Sequence, residues 1–329
     1  MIITRTPLRI SIGGGGSDLP SYYQRAGGMV VAAAINKYVY IAINRTFTDD
    51  YFIKYSELER ARRIEDIRHP IMREALASHA TPPGIEVVSL ADIPAGTGLG
   101  SSGSFTVGLL RALYAFRREH VATVALAEEA CAIEIDRLGN AVGKQDQYIA
   151  AFGGMTCFEF AIDGRVRTSP LNISQATLHD LEERLLLFFT GYSRNAEALL
   201  RDQKDRSEAG DAEMIGNLNA VVRIGHQIKI ALEEGDTGAF ADLMHEHWAR
   251  KQERLRGASG TGEAAVTAWY QTAMENGARG GKLVGAGGGG FLLFYADDPQ
   301  KLRKAMSGAG LSEVFFNFDH DGSTVMARD

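Results

Sequence analysis

The sequence predicts an α+β protein built from two closely joined domains. At 329 residues the chain is too long for one simple hydrophobic core. Strand-like apolar runs alternate along it with segments whose apolar residues recur at helical spacing. A charged stretch at 178–183 leads into an apolar run at 185–191, which is typical of a buried strand that opens a second unit. We therefore predict one domain over residues 1–180 and another over residues 181–329.

The individual elements follow from these patterns in chain order. The first half is predicted to contain strands at 2–12, 28–45, 51–55, 85–90, 154–160 and 166–171, and helices at 70–79, 105–117 and 122–137. The second half is predicted to contain a strand at 185–191, a helical region at 195–256 interrupted near 210 and 235–238, helices at 263–276 and 299–307, a glycine-rich hairpin at 282–294 and a strand at 313–318.

Composition and charge argue against several classes of protein. The formal net charge is −6 and no basic run is present, which argues against a nucleic-acid partner. Cys131 and Cys157 both lie in apolar contexts, which favours reduced core thiols over a disulfide. No apolar stretch approaches the ~20 residues that cross a bilayer, and the start lacks a signal-peptide pattern. We therefore expect a soluble cytoplasmic enzyme without a membrane partner, of undetermined oligomeric state.

The most informative segment is the glycine- and serine-rich stretch at 94–104. It joins the predicted strand at 85–90 to the predicted helix at 105–117, so its glycines can turn consecutive N–H groups toward one anion at a helix amino terminus. Its hydroxyls could bind phosphate oxygens or a metal ion. The alternative is a flexible loop without function. We predict a phosphate-binding loop made of Gly96, Gly98, Leu99, Gly100, Ser101, Ser102, Gly103 and Ser104.

The spacing within this loop excludes two common phosphate loops. It has no Gly-Lys-Ser/Thr ending, and its glycines do not follow the dinucleotide-binding fingerprint. The register of Pro94, Gly98, Leu99, Ser101 and Ser102 resembles the nucleotide loop of the GHMP small-molecule kinases, Pro-x-x-x-Gly-Leu-x-Ser-Ser. The resemblance implies that the loop binds ATP together with Mg²⁺.

The amino-terminal segment resembles a second motif of that family. A predicted strand ends in four glycines at 13–16, and Ser17 and Asp18 follow. Taken alone, Arg9 is typical of an exposed strand face and Asp18 of a helix N-cap. By resemblance to the sugar kinases of the family, Arg9 lies near the transferred phosphoryl group as a catalytic residue, and Asp18 bonds sugar hydroxyls.

The same motif implies a substrate other than galactose. Gly15 and Gly16 stand where galactokinases have Glu and His, which leaves room for a bulkier or differently charged sugar. The resemblance makes the following residues the predicted substrate contacts of this segment: Gly14, Gly15, Gly16, Ser17 and Asp18.

A third group of candidate residues follows the predicted helix at 122–137. Glu134 lies between two isoleucines near the buried face, where an unpaired carboxylate is costly, so we expect it to face a cation or a polar pocket. Asp146 lies in a glycine-rich loop two residues after Lys144, whose ammonium would keep the carboxylate ionised. By resemblance, Asp146 accepts or orients the attacking hydroxyl, and Glu134 shares Mg²⁺ with Ser102.

The fourth motif is the glycine run at 282–294. Alone it indicates no more than a flexible hairpin. It resembles the carboxyl-terminal GHMP motif, Lys-x-x-Gly-Ala-Gly-x-Gly-Gly, which closes over the phosphate loop and the substrate, and this implies substrate contacts for Gly287 and Gly288. With four segments in family order between residues 5 and 294, the chain is identified as a member of the GHMP kinases.

Membership of this family implies the fold and the reaction in more detail. The first domain would be ribosomal-S5-like and the second ferredoxin-like, with ATP and a small sugar phosphate in the cleft between them. Segments 9–23, 189–196 and 245–251 resemble the branch that phosphorylates the C1 hydroxyl of D-glycero-D-manno-heptose 7-phosphate. The alternatives are a kinase for fucose, arabinose or a uronic acid, and a catalytically silent sensor with this fold.

An acceptor that carries a phosphate requires a basic residue in its pocket. From position alone the candidates are Arg194, after the strand at 185–191, and Arg25. His245 and His247 could suggest a metal pair, but no third ligand follows at zinc-like spacing, and we reject a zinc site. His245 and Trp248 are expected to serve helix packing.

Overall fold

In the part of the chain that the structure describes, the strands form two β-sheets, one of eight strands and one of four. The structure is a computed structural model that describes residues 1–191, 196–255, 263–285, 287 and 289–328. Two predicted substrate residues, Arg194 and Gly288, therefore lie outside the described residues.

The amino-terminal part of the chain forms most of the larger sheet and the helices that cover it. A 3-10 turn at Ile64–Asp66 and a π-helical segment at Ala132–Arg137 accompany these elements. In chain order they are β1 (Ile2–Gly13), α1 (Pro20–Ala26), β2 (Gly28–Arg45), β3 (Tyr51–Lys54), β4 (Leu58–Ala61), α2 (Pro70–Ser78), β5 (Ile85–Ala91), α3 (Ser101–Phe116), α4 (Thr123–Cys131), α5 (Gln145–Phe152), β6 (Met155–Phe160) and β7 (Val166–Pro170).

The remaining elements form the smaller sheet, its helices and one returning strand. They are α6 (Gln175–Arg184), β8 (Leu185–Gly191), α7 (Ala196–Glu208), α8 (Ala212–Glu234), α9 (Thr237–Leu255), α10 (Glu263–Glu275), β9 (Ala278–Val284), β10 (Gly290–Ala296), α11 (Pro299–Gly308), β11 (Ser312–Glu313) and β12 (Thr324–Arg328). The smaller sheet has the order β11-β8-β10-β9. The larger has the order β12-β1-β2-β5-β3-β4, with β6 paired to β2 and β7.

Helix α3 is held close to the strand that carries Arg9. Apolar residues on α3 are buried against the larger sheet, as its helical spacing predicts. A Cβ on Gly108 would lie 2.7 Å from Thr6 Oγ1, so helix and strand approach more closely than a side chain would allow. Thr4 Oγ1 donates to the carbonyl of Gly108 at 2.9 Å. The loop before α3 is therefore positioned relative to β1.

Helix α9 is held equally close to β9 of the smaller sheet. A Cβ on Gly280 would lie 1.9 Å from the carbonyl oxygen of Ala241, a separation that no real Cβ tolerates. Arg279 on the same strand bonds Asp242 on the helix through two hydrogen bonds of 2.9 and 2.8 Å. Side chains on α9 and β9 consequently face a common region at a set distance.

Most predicted elements are confirmed, and the exceptions have physical reasons. Helix α5 was not predicted, and the expectation that Asp146 lies in a loop is wrong because Asp146 lies in the first turn of this eight-residue helix. The predicted strand at 313–318 is largely wrong: only Ser312–Glu313 pairs with β8, and Phe318 makes an isolated bridge to Ile35. The sequence prediction also missed α6, which is largely polar, and two partly exposed edge strands, β4 and β12.

The chain passes from the larger to the smaller sheet between β7 and β8, and β12 returns to pair with β1. The proposed division at residues 180/181 falls within this passage and stays a prediction. Cys131 and Cys157 are buried free thiols, as predicted. In the described ranges, no helix combines the length and the apolar character needed to cross a membrane.

Candidate active site

The loop before α3 has the backbone of an anion-binding nest. Gly96, Gly98 and Gly100 all have positive φ, at 78°, 87° and 76°, so left-handed residues alternate with others along the loop. Gly100 is the N-cap of α3, and the first N–H groups of a helix have no partner within it. Ser101 and Ser102 begin the helix and line a cavity of about 240 Å³. Oriented N–H groups and the helix dipole favour a negative group here.

Arg9 and Asp146 form a bidentate ion pair at this cavity. Arg9 Nε and Nη2 donate to Asp146 Oδ1 and Oδ2 at 2.8 and 3.0 Å, and Arg9 Nη1 donates to the carbonyl of Gly98 at 2.6 Å. The backbone N–H of Arg9 donates to the carbonyl of Leu99 at 3.0 Å. Gln145 Nε2 also donates to Asp146 Oδ1, at 3.0 Å. Asp146 Oδ2 therefore keeps one lone pair free for a ligand hydroxyl.

Asp18 is a second carboxylate in the same cavity. It accepts from the backbone N–H groups of Gly16 and Gln145 at 3.0 and 3.2 Å. Burial, followed by the charge of Asp146, raises the pKa of Asp18, while these N–H groups partly oppose the rise. Gly15 and Gly16 line the cavity beside it. Because each carboxylate oxygen keeps a lone pair, this side chain can accept hydroxyl groups of a bound sugar.

Ser102 and Glu134 place a hydroxyl and a carboxylate in contact at the start of α3. Ser102 donates to Glu134 Oε2, and Gln147 Nε2 donates to Oε1 at 2.9 Å. Glu134 is buried behind Ser102, and burial raises its pKa. No salt bridge joins Glu134 to a cation within the described residues. A buried carboxylate without a cation, next to an exposed hydroxyl, offers two hard oxygen ligands of the kind Mg²⁺ prefers.

The opposite wall of the cavity is basic, and the sequence reasoning did not identify it as part of the site. His247, Lys251 and Arg254 come from α9, and Lys282 comes from β9. We call these four residues the basic cluster. The first three are spaced four and three residues apart, which sets them on one helix face, and that spacing is the signal that could have found them.

The two lysines of the basic cluster are buried and bond backbone carbonyls. Lys251 Nζ donates to the carbonyls of Leu283, at 3.0 Å, and Gly285. Lys282 Nζ donates to the carbonyl of Ile12 at 3.3 Å and lies 2.8 Å from His247 Nδ1. Burial lowers the pKa of Lys251 to about 7, and burial with the neighbouring cations lowers the pKa values of His247 and Lys282 well below their usual ranges. His247 is therefore neutral at pH 7.

The end of β9 and the start of β10 pack directly on the phosphate loop. A Cβ on Gly285 would lie 2.6 Å from Gly98 Cα, and one on Gly290 would lie 2.3 Å from the carbonyl of Thr97. The fourth motif therefore contacts the first in space. Gly287 is buried with a φ of 135° and is not among the described cavity-lining residues, so its role in substrate binding stays a prediction.

Several predicted site residues face away from the cavity. Leu99 is wholly buried in the core, and Ser104 donates its hydroxyl to the carbonyl of Pro7 at 2.7 Å and its N–H to the carbonyl of Gly100 at 3.0 Å. Neither side chain is available to a nucleotide, and a contact through the backbone of Leu99 or Ser104 stays a prediction. Gly103 does not line the cavity either, because it packs against Asp146, whose Cβ would lie 2.7 Å from a Cβ at that position.

Two of the predicted substrate residues shape the turn rather than line the cavity. A Cβ on Gly14 would lie 1.9 Å from the carbonyl of Met29. Ser17 is wholly buried, its hydroxyl bonding the carbonyls of Gly14 and Met29 at 2.8 and 2.9 Å and accepting from the N–H of Met29 at 3.0 Å. Neither residue lines the cavity, so their direct contact with a substrate stays a prediction. Both residues hold the glycine turn that presents Asp18.

Two side chains with other predicted roles also find different partners. Lys144 bonds both oxygens of Glu128 at 2.9 Å, so the expectation that it pairs with Asp146 is wrong. Arg25 donates to the carbonyl of Glu208 at 2.6 Å and lies outside the cavity, which removes it as a phosphate ligand.

His245 and Trp248 pack within the second half of the chain, as expected. His245 Nδ1 lies 2.7 Å from Tyr270 OH, and Trp248 is buried in the apolar cluster around Tyr270 and Phe294. His245 and His247 thus have different partners. Across the described part of the chain, no group of three His, Cys, Asp or Glu side chains is placed to hold a metal ion alone.

Known proteins resemble the chain over its whole length. Residues 64–154 match the family described as GHMP kinases N terminal domain, and residues 228–311 match GHMP kinases C terminal. The chain is 30% identical over 312 residues to D-glycero-alpha-D-manno-heptose 7-phosphate kinase of Campylobacter jejuni, with 91% of each chain covered. It is 26% identical to L-fucokinase/L-fucose-1-P guanylyltransferase of Bacteroides fragilis, over 92% of this chain and 36% of that protein.

Solved structures share the fold. A D-glycero-D-manno-heptose 1-phosphate kinase from Bacteroides thetaiotaomicron superposes with a TM-score of 0.80 at 24% identity, covering 100% of both chains. A galactokinase from Lactococcus lactis superposes with a TM-score of 0.75 at 17% identity, covering 98% of this chain and 94% of that one. The two-domain α+β architecture predicted from the sequence is thereby confirmed.

The lowered pKa of Lys251 predicts how stability depends on pH without ligand. The unfolded chain keeps this lysine protonated to about pH 10.4, whereas the folded chain loses the proton near pH 7. Between these values the unfolded state binds more protons, so folding is favoured as pH rises. We expect the free energy of unfolding of the wild type, relative to Lys251→Met, to rise by about 2 kcal/mol from pH 7 to pH 9.

The measurement is urea unfolding of both proteins in phosphate-free buffer at pH 7, 8 and 9. Lys204→Met, at a surface position on α7, is the control. Its free energy of unfolding should change with pH in parallel with that of the wild type. Parallel curves for Lys251→Met and the wild type would contradict the assignment of a depressed pKa to Lys251.

Proposed function

The chain belongs to the GHMP kinases, and from that membership we propose that it transfers the γ-phosphoryl group of ATP to the C1 hydroxyl of D-glycero-D-manno-heptose 7-phosphate. The product is the 1,7-bisphosphate, a precursor for nucleotide-activated heptose. The enzyme class, a small-molecule sugar kinase, follows from the family and from its heptose 7-phosphate kinase relative. We propose the cytoplasm as the location because ATP is the phosphoryl donor of the family.

The observation that carries the proposal is the meeting of three parts in one cavity. The phosphate loop ends at Ser101 and Ser102, the Arg9–Asp146 pair adjoins it through Gly98, and the glycine turn with Asp18 lies beside the pair. A nucleotide phosphate, a reacting hydroxyl and a sugar ring require such neighbouring sites. Phosphoryl transfer depends chiefly on positioning and on neutralising charge.

The residues then divide the reaction among them. The loop N–H groups hold the nucleotide phosphates, and Arg9 offsets negative charge on the phosphoryl group in transit. Asp18 bonds sugar hydroxyls and presents C1 toward Asp146. Asp146 takes the proton of the C1 hydroxyl, and the hydroxyl oxygen of the sugar forms the bond to the γ-phosphorus. The bond between the γ-phosphorus and the β-phosphate oxygen breaks at the same time and releases ADP.

We propose that Ser102 and Glu134 hold Mg²⁺ together with the nucleotide phosphates. Mg²⁺ commonly takes one or two protein oxygens and completes its octahedron with phosphate and water, which suits a site with one hydroxyl and one carboxylate. When bound, the ion would neutralise phosphate charge. The buried carboxylate of Glu134 would then gain the positive neighbour that the described residues do not supply.

The choice of acceptor rests on the relatives and on the basic cluster. The relative that matches over 91% of its length is named a heptose 7-phosphate kinase. The fucokinase relative makes L-fucose the second candidate, at 26% identity. Fucose carries no phosphate and would leave the basic cluster without an anionic partner, so we favour the phosphorylated heptose.

A sugar panel tests the acceptor. ATP consumption would be measured with heptose 7-phosphate, the unphosphorylated heptose, L-fucose and galactose. Energy from binding a remote phosphate can be used to align C1, so we expect heptose 7-phosphate to exceed free heptose by ~100-fold or more in kcat/KM. Equal use of both heptoses contradicts the 7-phosphate assignment, preference for fucose supports the second candidate, and no turnover with any sugar supports a silent sensor.

Removal of the proposed base gives a second test. Asp146→Asn keeps the size of the side chain and removes its charge, so we expect kcat to fall at least ~100-fold while the Kd for ATP stays nearly unchanged. Asp136→Asn, on an exposed residue of the π-helical segment, is the matched control and should leave kcat unchanged. Turnover near the wild-type rate in Asp146→Asn would remove Asp146 from the catalytic role.

Two of the serines of α3, Ser102 and Ser104, separate metal binding from folding. Ser102→Ala removes a proposed Mg²⁺ ligand, so we expect the Mg²⁺ concentration for half-maximal rate to rise severalfold. Ser104→Ala leaves the carbonyl of Pro7 without its partner, so we expect a loss of ~1 kcal/mol in the free energy of unfolding and an unchanged Mg²⁺ titration. The reverse pattern would show that the serines are misassigned.

A further inference from the structure

Among the described residues, the basic cluster has no carboxylate partner within hydrogen-bonding reach. His247, Lys251 and Lys282 are 2%, 5% and 3% exposed, and no salt bridge joins any of the four residues to an acid within the described residues. Asp18 is the acid whose charge acts on Arg254. A buried group of cations without counter-charges is costly unless something anionic balances it.

Each member of the cluster keeps a donor in reserve. A lysine in its ammonium form has three N–H donors, and Lys251 and Lys282 each direct two of them at protein atoms. When Lys282 is charged, as a bound anion would favour, it can only donate, so His247 Nδ1 accepts from it and Nε2 carries the ring hydrogen. His247 Nε2 and Arg254 Nη1 are both buried and have no hydrogen-bond partner among the described residues. Four unused donors therefore line one wall of the cavity.

The cluster lies over the acceptor side of the cavity. A Cβ on Gly16 would lie 3.2 Å from Arg254 Nη1, and Lys282 bonds the carbonyl of Ile12, just before the glycine turn. Gln203 Nε2 bonds the carbonyl of Gly16 at 2.9 Å from the same side. The nucleotide phosphates, in contrast, are provided for by the loop N–H groups and Arg9. Lys251 bonds the carbonyl of Gly285, which packs on Gly98 of the phosphate loop.

We propose that His247, Lys251, Arg254 and Lys282 form the subsite for the phosphate group that the acceptor already carries. The inference rests on the proposed function and deepens it, because it assigns residues to the recognition of a sugar monophosphate. The bound dianion accepts hydrogen bonds from the free guanidinium N–H, from His247 Nε2 and from one N–H of each lysine. Arg254 is the residue whose substitution tests the phosphate subsite most directly. Its Nη1 has no other partner among the described residues, and its guanidinium keeps its charge at any pH used for assay.

The test compares Arg254→Gln with Arg250→Gln. Arg250 lies one turn earlier on α9, pairs with Glu253 at 3.1 Å and does not line the cavity, so it is a matched control. For each protein, kcat/KM would be measured with heptose 7-phosphate and with free heptose, and the KM for ATP recorded in parallel. We expect Arg254→Gln to reduce the preference for the phosphorylated sugar at least ~10-fold and to leave free heptose and ATP nearly unaffected.

Several outcomes overturn the proposal. An equal loss with both heptoses shows that Arg254 serves the sugar ring or the fold, and a raised KM for ATP shows that the cluster binds nucleotide phosphates. Failure of the proposed function looks different, because the wild type itself would then lack a preference for the phosphorylated heptose. Arg254→Lys should recover part of the preference, since it keeps the charge but loses the planar fork.

A binding measurement tests the subsite apart from turnover. With the phosphate loop filled by a non-hydrolysable ATP analogue, heptose 7-phosphate would be titrated by calorimetry into the wild type, Arg254→Gln and Lys282→Met. Both variants should bind at least ~10-fold more weakly than the wild type and Arg250→Gln. Because Lys282 is buried, its variant is used only where its thermal unfolding remains cooperative. Undiminished binding by Arg254→Gln overturns the assignment.

Discussion

The ion pair between Arg9 and Asp146 is the contact on which the rest of the site depends. One guanidinium contacts both carboxylate oxygens and the carbonyl of Gly98, while the backbone N–H of the same residue bonds Leu99. A single residue of β1 therefore joins α5 to the phosphate loop. The Arg9 side chain is only 6% exposed, so breaking the pair would leave a charge in a poorly solvated place. The proposed base and the proposed nucleotide site accordingly keep a constant separation.

Close backbone approach makes this arrangement possible, and glycine is what permits it. A Cβ on Gly143 would lie 1.9 Å from Asp18 Oδ2, and one on Gly103 would lie 2.7 Å from Asp146 Cβ. The contact of Gly285 with Gly98 brings the smaller sheet onto the phosphate loop in the same way. These glycines matter less for flexibility than for the space they leave, because each lets a functional carboxylate or loop come nearer than any other residue would allow.

Local sequence patterns were sufficient to predict most helices and strands and the glycine motifs. They did not predict which side chains pair with each other. Helical spacing and apolar runs predicted β2, α3 and β8, and the glycine spacing predicted the loop at α3. The closeness of Lys144 and Asp146 in the sequence suggested that the two side chains pair. In the fold Lys144 bonds Glu128 instead, and the partner of Asp146 is Arg9, 137 residues away. Ser104 has the same side chain as Ser102, but it lies two residues further along α3, and its hydroxyl bonds β1 instead of facing the cavity. The basic cluster combines α9 with β9, so helical spacing could indicate its three α9 members, but only the folded contact of the two elements at Gly280 adds Lys282.

The charge of the cavity depends in part on what occupies it. Asp146 balances Arg9, and Asp18, which lines the same cavity, is the acid whose charge acts on Arg254. Burial lowers the pKa values of both lysines of the basic cluster, so the free protein near neutral pH carries less positive charge on this wall than its residues suggest. An entering phosphate dianion would raise both pKa values, and binding would take up protons. This coupling explains how the fold tolerates a buried basic wall: the lysines can be neutral while the cavity has no anion and become charged when an anion is present.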